Sequence, residues 1–160
     1  MNWSDLFFTP EGRIGRKPFL LAVAILWVAG LAVHVLPLLG GLLWLMSLYC
    51  WICVLSKRLH DMGRTGWLQL APMVIGVGGL ILGGLMVMAS ILGPAASGFV
   101  ADHLLMGLGA MIGGMWIGAA LLALAVTIHL LFLLWLSLSP GQTGDNRFGP
   151  RPAPSPGMAL

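Results

Sequence analysis

The sequence predicts an all-α membrane protein, with four transmembrane helices arranged as two hairpins and both termini in the cytoplasm, on three observations. First, 59% of the 160 residues are apolar and only 8% are charged, where a soluble domain carries roughly a quarter charged residues. Second, the apolar residues gather into three long runs, Phe19 to Leu55, Trp67 to Ala101 and Leu104 to Leu138. Third, the eight Lys and Arg fall only before, between or after those runs in a pattern that one side of a membrane can hold. The first observation, with a mean hydropathy of +0.98, argues against a water-soluble enzyme. The other two set the topology.

Ahead of the first run, Thr9-Pro10-Glu11-Gly12 has proline and glycine where a type I turn wants them. Pro18 suits the first turn of the helix that follows, and Trp3, Phe7 and Phe8 are expected to dip into the membrane interface. As one helix the first run would measure about 55 Å, against a hydrocarbon core of about 30 Å. It must therefore turn back, and Pro37 with Gly40 and Gly41 marks the place, giving spans of about 18–37 and 41–57. In the loop that follows, cations occupy the last turn of a helix, Gly63 serves as its stop and Thr65 as the N-cap of the next. The second run carries its turn signals, Gly93, Pro94, Ser97 and Gly98, near its end, which gives one span of about 67–92. The third run has no proline, but its glycine-dense first part (Gly107, Gly109, Gly113, Gly114 and Gly118) forms helix poorly in water. That places the last span at about 112–137, with residues 99–111 along the outer interface. Ser139-Pro140-Gly141 ends the helix. Residues 1–150 thus read as a single four-helix membrane domain, and the Pro-rich tail 151–160 as disordered.

Cytoplasmic loops hold an excess of Lys and Arg, and short translocated loops do not. Arg13, Arg16 and Lys17 precede the first span, Lys57, Arg58 and Arg64 lie between the second and third, and Arg147 and Arg151 follow the fourth. Stretches 37–41 and 93–103 contain none. Four spans with cytoplasmic termini put all eight on one side, and Trp67 at a span entrance fits the aromatic belt. Eight basic residues and a net charge of +3 are too few for a nucleic-acid stripe, so no nucleic-acid partner is expected. Cys50 and Cys53 sit inside an apolar run, where no extracellular disulfide framework is implied.

Three segments carry a resemblance. They are Gly12-Arg13-Ile14-Gly15-Arg16-Lys17-Pro18-Phe19, Arg58-Leu59-His60-Asp61-Met62-Gly63-Arg64-Thr65-Gly66-Trp67 and Gly141-Gln142-Thr143-Gly144-Asp145-Asn146-Arg147-Phe148-Gly149-Pro150. Together, in this order, they resemble the domain-of-unknown-function family 805. The resemblance implies a small helical protein of the bacterial inner membrane and implies no activity. It carries motif membership to Arg13, Arg16, Arg58, His60, Asp61, Gly63, Gly66, Trp67, Asn146, Phe148 and Gly149. Departures are Pro18 and Leu20, where an acidic residue and a tryptophan are expected, Leu68 in place of a second tryptophan, and a longer Met/Gly-rich stretch over 93–118.

Two readings of these residues stand side by side. In one, Arg13, Arg16, Arg58 and Arg64 surround an anionic head group or phosphate-bearing ligand, with Asn146 supplying a hydrogen bond and His60 and Asp61 belonging to the same candidate site, because the planar guanidinium fork suits such oxygens. In the other, the cations obey the positive-inside rule and pair with Asp61 and Asp145; Gly12, Gly63, Gly66, Trp67, Phe148 and Gly149 then serve structure. His60 and Asp61 are adjacent and point about 100° apart on a helix, so an acid/base pair is not expected. Asp61 is expected to bridge to Arg58 or Arg64, each three residues away. Cys50, Cys53 and His129 leave a tetrahedral metal set short, so no metal and no cofactor are expected. His34 has no acid to pair with in the spans. Gly79 with Gly83, Gly109 with Gly113 and Gly114 with Gly118 give the spacing that lets helix backbones approach closely, within the chain or between copies of it. The functional expectation is a non-enzymatic membrane module for binding or assembly. Its partners would be the lipid bilayer and its anionic lipids, with a homo-oligomer or another membrane protein left open. The alternative is a small transporter or channel subunit.

Overall fold

The computed structural model describes residues 2–33, 40–96 and 104–152. Its helices are α1 (Trp3–Phe8), α2 (Arg16–Val33), α3 (Gly40–Asp61), α4 (Leu70–Ala96) and α5 (Leu104–Leu138), with a single 3-10 turn at Gly66–Gln69 ahead of α4. There is no strand among the described residues, only one isolated bridge between Asn146 and Gly149. The all-helical expectation holds. Three described helices are long and apolar enough to cross a membrane, Gly40–Asp61, Gly66–Gly93 and Leu105–Leu138, and not the four expected. The helix that misses is α2, whose described part opens with Arg16-Lys17-Pro18 and stops at Val33. The outer end of its expected span, with His34 and the turn at Pro37, lies outside the described residues, as do 97–103 and most of the tail expected to be disordered.

Helix ends follow the local chemistry more closely than the span estimates did. The helix α3 continues past the expected span limit at residue 57 to Asp61, with Arg58 and His60 in its last turn, and stops as expected before Gly63. Gly63 then closes it at φ +73°, with Gly63 N–H donating to the His60 carbonyl at 3.0 Å and Arg64 N–H to the Leu59 carbonyl at 2.9 Å. That is a Schellman closure, which glycine accepts without the steric cost a side chain would bring. Thr65 opens the next element through its carbonyl, which accepts from Leu68 N–H at 3.2 Å, and not through its hydroxyl as an N-cap would. At the other end of α4, the helix passes the expected stop at Leu92 and runs through Pro94 to Ala96.

The largest correction is in α5. Residues 104–111, expected along the interface, are its first two turns, and the 35-residue helix is about 52 Å long. Without a proline nothing interrupts its backbone ladder, and glycine is well tolerated in apolar helices. The helix therefore begins eight residues before position 112, where the last span was expected to start.

The described chain divides into two compact units, residues 1–69 with 134–160, and residues 70–133. In the first, Leu6, Phe19, Val54, Leu55, Leu59 and Leu136 are fully buried together with the whole of Arg58. In the second, α4 and α5 meet through glycines. A Cβ added at Gly118 would stand 2.8 Å from the Gly83 carbonyl oxygen, and one at Gly83 would stand 2.9 Å from the Gly118 carbonyl. Gly79 lies likewise against Ala125, and Gly114 against Ser90. Two of the three expected small-residue pairs thus pack inside the chain; nothing lies within 4 Å of a Cβ at Gly109 or Gly113.

Candidate functional site

The chemistry-bearing side chains of the first unit converge on one carboxylate. Asp61, the last residue of α3, has its Oδ1 held by Arg13, from Nη2 at 3.1 Å and Nε at 3.3 Å. Its Oδ2 accepts from Arg58 Nη1 at 2.7 Å. The side chains of Arg13, Arg58 and Asp61 are 1%, 0% and 5% exposed, so this is a buried triad, one acid between two bases. A guanidinium has five N–H donors and no acceptor. Both of these spend theirs on carbonyls where chain segments end.

Arg58 donates from Nε to the Leu136 carbonyl at 2.9 Å and from Nη2 to the Ser139 carbonyl at 2.6 Å, capping the last turn of α5. Its Nη1 also reaches the Ile14 carbonyl at 3.4 Å, and its plane lies over the Phe19 ring at 5.9 Å. Arg13 donates to the carbonyls of Gln142 at 2.8 Å, Gly144 at 2.7 Å and Gly149 at 3.3 Å. Segments from both ends of the sequence are thereby tied to the last turn of α3 through Arg13 and Arg58. The fit at Gly141 is equally close, since an added Cβ there would land on Asp61 Oδ2, while Gln142 N–H donates to the Asp61 carbonyl at 2.8 Å.

A second layer surrounds the triad. The His60 ring stacks on Phe148 with centroids 4.0 Å apart and planes 6° apart, and its Nδ1 donates to the Gly12 carbonyl at 3.2 Å. Gly12 turns the chain there at φ +89°. Asn146 donates from Nδ2 to the His60 carbonyl at 2.9 Å and to Gln142 Oε1 at 2.8 Å, and its own Oδ1 accepts from Phe148 N–H at 2.9 Å. Gly149, at φ +131°, exchanges backbone bonds with Asn146 to close that turn. Gly66 lets the chain pass Ser56, since a Cβ would stand 2.7 Å from its Oγ, and Ser56 Oγ accepts from Gln69 Nε2 at 2.8 Å. Gln69 Oε1 is buried without a partner among the described residues.

The remaining candidates lie outward. Arg16 is exposed and donates from Nε to the Ser139 carbonyl at 3.0 Å. Arg64 is exposed and rests over the Trp135 ring at 5.4 Å, so it does not bridge to Asp61 as one alternative had it. Arg147 is exposed and its guanidinium lies over the Phe148 ring at 4.7 Å. Trp67 is 77% exposed. Asp145 accepts from the backbone N–H of Arg151 at 2.9 Å. The structure therefore brings Arg13, Arg58, His60, Asp61 and Asn146 into one bonded cluster and leaves Arg16, Arg64 and Arg147 on its surface. Among the described residues no group of three or more His, Cys, Asp or Glu gathers as a metal site would require.

Sequence reasoning missed the acceptors. Arg13 and Asp61 are 48 positions apart, and most partners of Arg13 and Arg58 are backbone carbonyls, which carry no residue signature. It also missed Gly141 and Gln142, both inside the third motif. The signal available for them was the Pro-Gly stop, read only as a helix end.

Comparison with known proteins agrees with the motifs. A family model described as a protein of unknown function (DUF805) matches residues 7–98, more than half of the chain. It covers the first two motifs; the third lies beyond it and is joined to them by the contacts above. No curated protein and no solved structure matches the chain.

Proposed function

The chain belongs to the DUF805 family of proteins of unknown function, and on that premise we propose that it is a four-span protein of the bacterial inner membrane that works by binding and assembly and not by catalysis. In this reading both termini are cytoplasmic, and α2 supplies the fourth span. The N-terminal segment, the end of α3 and the segment after α5 form a cap at the cytoplasmic surface. The cap meets anionic lipid head groups through Arg16, Arg64 and Arg147.

What carries the reading is the distribution of charge. All eight Lys and Arg belong to the unit formed by residues 1–69 and 134–160, and residues 70–133 contain none. Within that unit Arg13 and Arg58 are consumed by Asp61 and by carbonyls, so they act as the frame. The exposed arginines are the ones able to meet an outside anion, and basic groups beside a span attract anionic lipid at about 1 kcal/mol per residue.

Native mass spectrometry from nanodiscs holding phosphatidylglycerol and phosphatidylcholine tests this. The wild type should retain phosphatidylglycerol preferentially, and a variant with Arg16→Ala, Arg64→Ala and Arg147→Ala should lose that preference while keeping its thermal stability. An unchanged lipid pattern would reject the lipid-contacting role. A reporter fused after Leu160 that is active only outside the cytoplasm would reject the orientation.

A further inference from the structure

A helix of six residues leaves its last carbonyls without intrahelical partners, and in water the solvent would satisfy them. In α1 the protein does so instead. Lys57, only 5% exposed, points its Nζ at the Asp5 carbonyl and also reaches that of Leu6 at 3.4 Å. Thr9 Oγ1 donates to the Asp5 carbonyl at 2.7 Å, and Tyr49 Oη donates to the Phe8 carbonyl at 3.1 Å. Three of the four terminal carbonyls are covered by side chains. Such coverage is what backbone needs where water is scarce, because an unpaired carbonyl in hydrocarbon is costly.

The depth of these anchors agrees. Residues 49 and 57 are separated by about 12 Å along α3, and α3 is a candidate span whose last residue is Asp61. The chain leaves α1 and returns to the level of Asp61, where the Gly12 carbonyl meets His60 and Arg13 meets the carboxylate. α1 is thus fastened along α3 at positions about one to three turns before Asp61. One face of α1 is buried through Leu6, at 2% exposure. The other presents Trp3 and Phe8, half exposed, with Phe7 stacked on Trp3 at 6.3 Å. Phe8 adjoins Tyr49, and Tyr49, Leu45 and Leu42, spaced four and three apart, form an exposed apolar stripe along α3. The aromatic face of α1 therefore continues the surface by which α3 would meet lipid.

We propose that α1 is a lipid-contacting wedge, seated at the boundary between head groups and acyl chains in the leaflet at the Asp61 end of α3, with Trp3, Phe7 and Phe8 as its lipid-facing residues and Lys57 as its clasp. Tryptophan and phenylalanine are the side chains this boundary favours. The inference rests on the membrane reading above, and one experiment separates the two.

The full chain is reconstituted in phosphatidylcholine vesicles whose acyl chains are brominated either near the carbonyls or near the bilayer centre. Tryptophan emission is compared for the wild type and Trp3→Phe, the difference being the Trp3 signal. That signal should be quenched at least twofold more by shallow than by deep bromine and should resist aqueous iodide. In Lys57→Met it should become accessible to iodide. Quenching of the Trp3 signal by iodide and not by bromine, with the other six tryptophans quenched by bromine, would overturn the wedge and leave the membrane reading standing. No bromine quenching of any tryptophan would overturn both. A Trp3 signal unmoved by Lys57→Met would remove the clasp, and with it the argument from the covered carbonyls.

Discussion

The two units are held together by opposite means. Residues 1–69 with 134–160 are joined by groups that are present: two buried guanidinium groups, one carboxylate and the carbonyls they bind. Residues 70–133 are joined by groups that are missing, since Gly79, Gly83, Gly114 and Gly118 let α4 and α5 touch where any side chain would intrude. The first unit should fail when an atom is removed and the second when an atom is added. The difference also separates their sensitivities. Directional polar bonds fix which segment lies where, whereas close apolar contact fixes only how near two helices come.

The largest effect that would break this contrast is Asp61→Ala. It leaves two guanidinium groups buried and unpaired, and loss of one partner from a buried ion pair costs about 3–5 kcal/mol. Thermal unfolding in detergent should show it as the greatest loss of any single substitution in the chain. Next comes Gly118→Leu, where backbone at the Gly83 carbonyl stands in the way and overpacking costs about 1–3 kcal/mol. Gly113→Leu, with open space around it, should unfold like the wild type, and a penalty equal to that of Gly118→Leu would show that glycine matters there for another reason.

Smaller effects sharpen the comparison inside the first unit. Gly63→Ala should cost about 1–2 kcal/mol for its left-handed backbone, with an added penalty because the new methyl meets the Gln142 side chain. Gly12→Ala meets nothing within 4 Å and should cost only the backbone strain, so the difference between the two variants measures the contact with the C-terminal segment. Least of all, Arg64→Ala should leave the unfolding temperature unchanged and lower only the retention of anionic lipid.

Much of the fold was legible because local chemistry decides it. Gly63 could be read as the stop of α3, Pro140 with Gly141 as the end of α5, and Arg58 with Asp61 as an (i, i+3) pair, since each depends on residues within one turn. The start of α5 was not legible, because a glycine-rich run looks weak by propensities measured in water, whereas an apolar helix tolerates glycine and no proline interrupts this one. The site was half legible. Its motifs identified Arg13, Arg58, His60, Asp61 and Asn146, but not that Arg13 would cross 48 positions to Asp61, nor that both arginines would turn inward to carbonyls. Charge alone reads every arginine as a surface group, and burial depends on acceptors the sequence does not spell.

The account depends most on Asp61 holding the two ends of the chain against α3. Hydrogen exchange of the wild type and Asp61→Asn in the same detergent tests this directly. The amides of residues 13–16 and 142–149 should lose protection together in the variant, while those of 79–90 and 114–125 keep theirs. Unchanged protection in both terminal segments, or an equal loss in the glycine-packed helices, would contradict it.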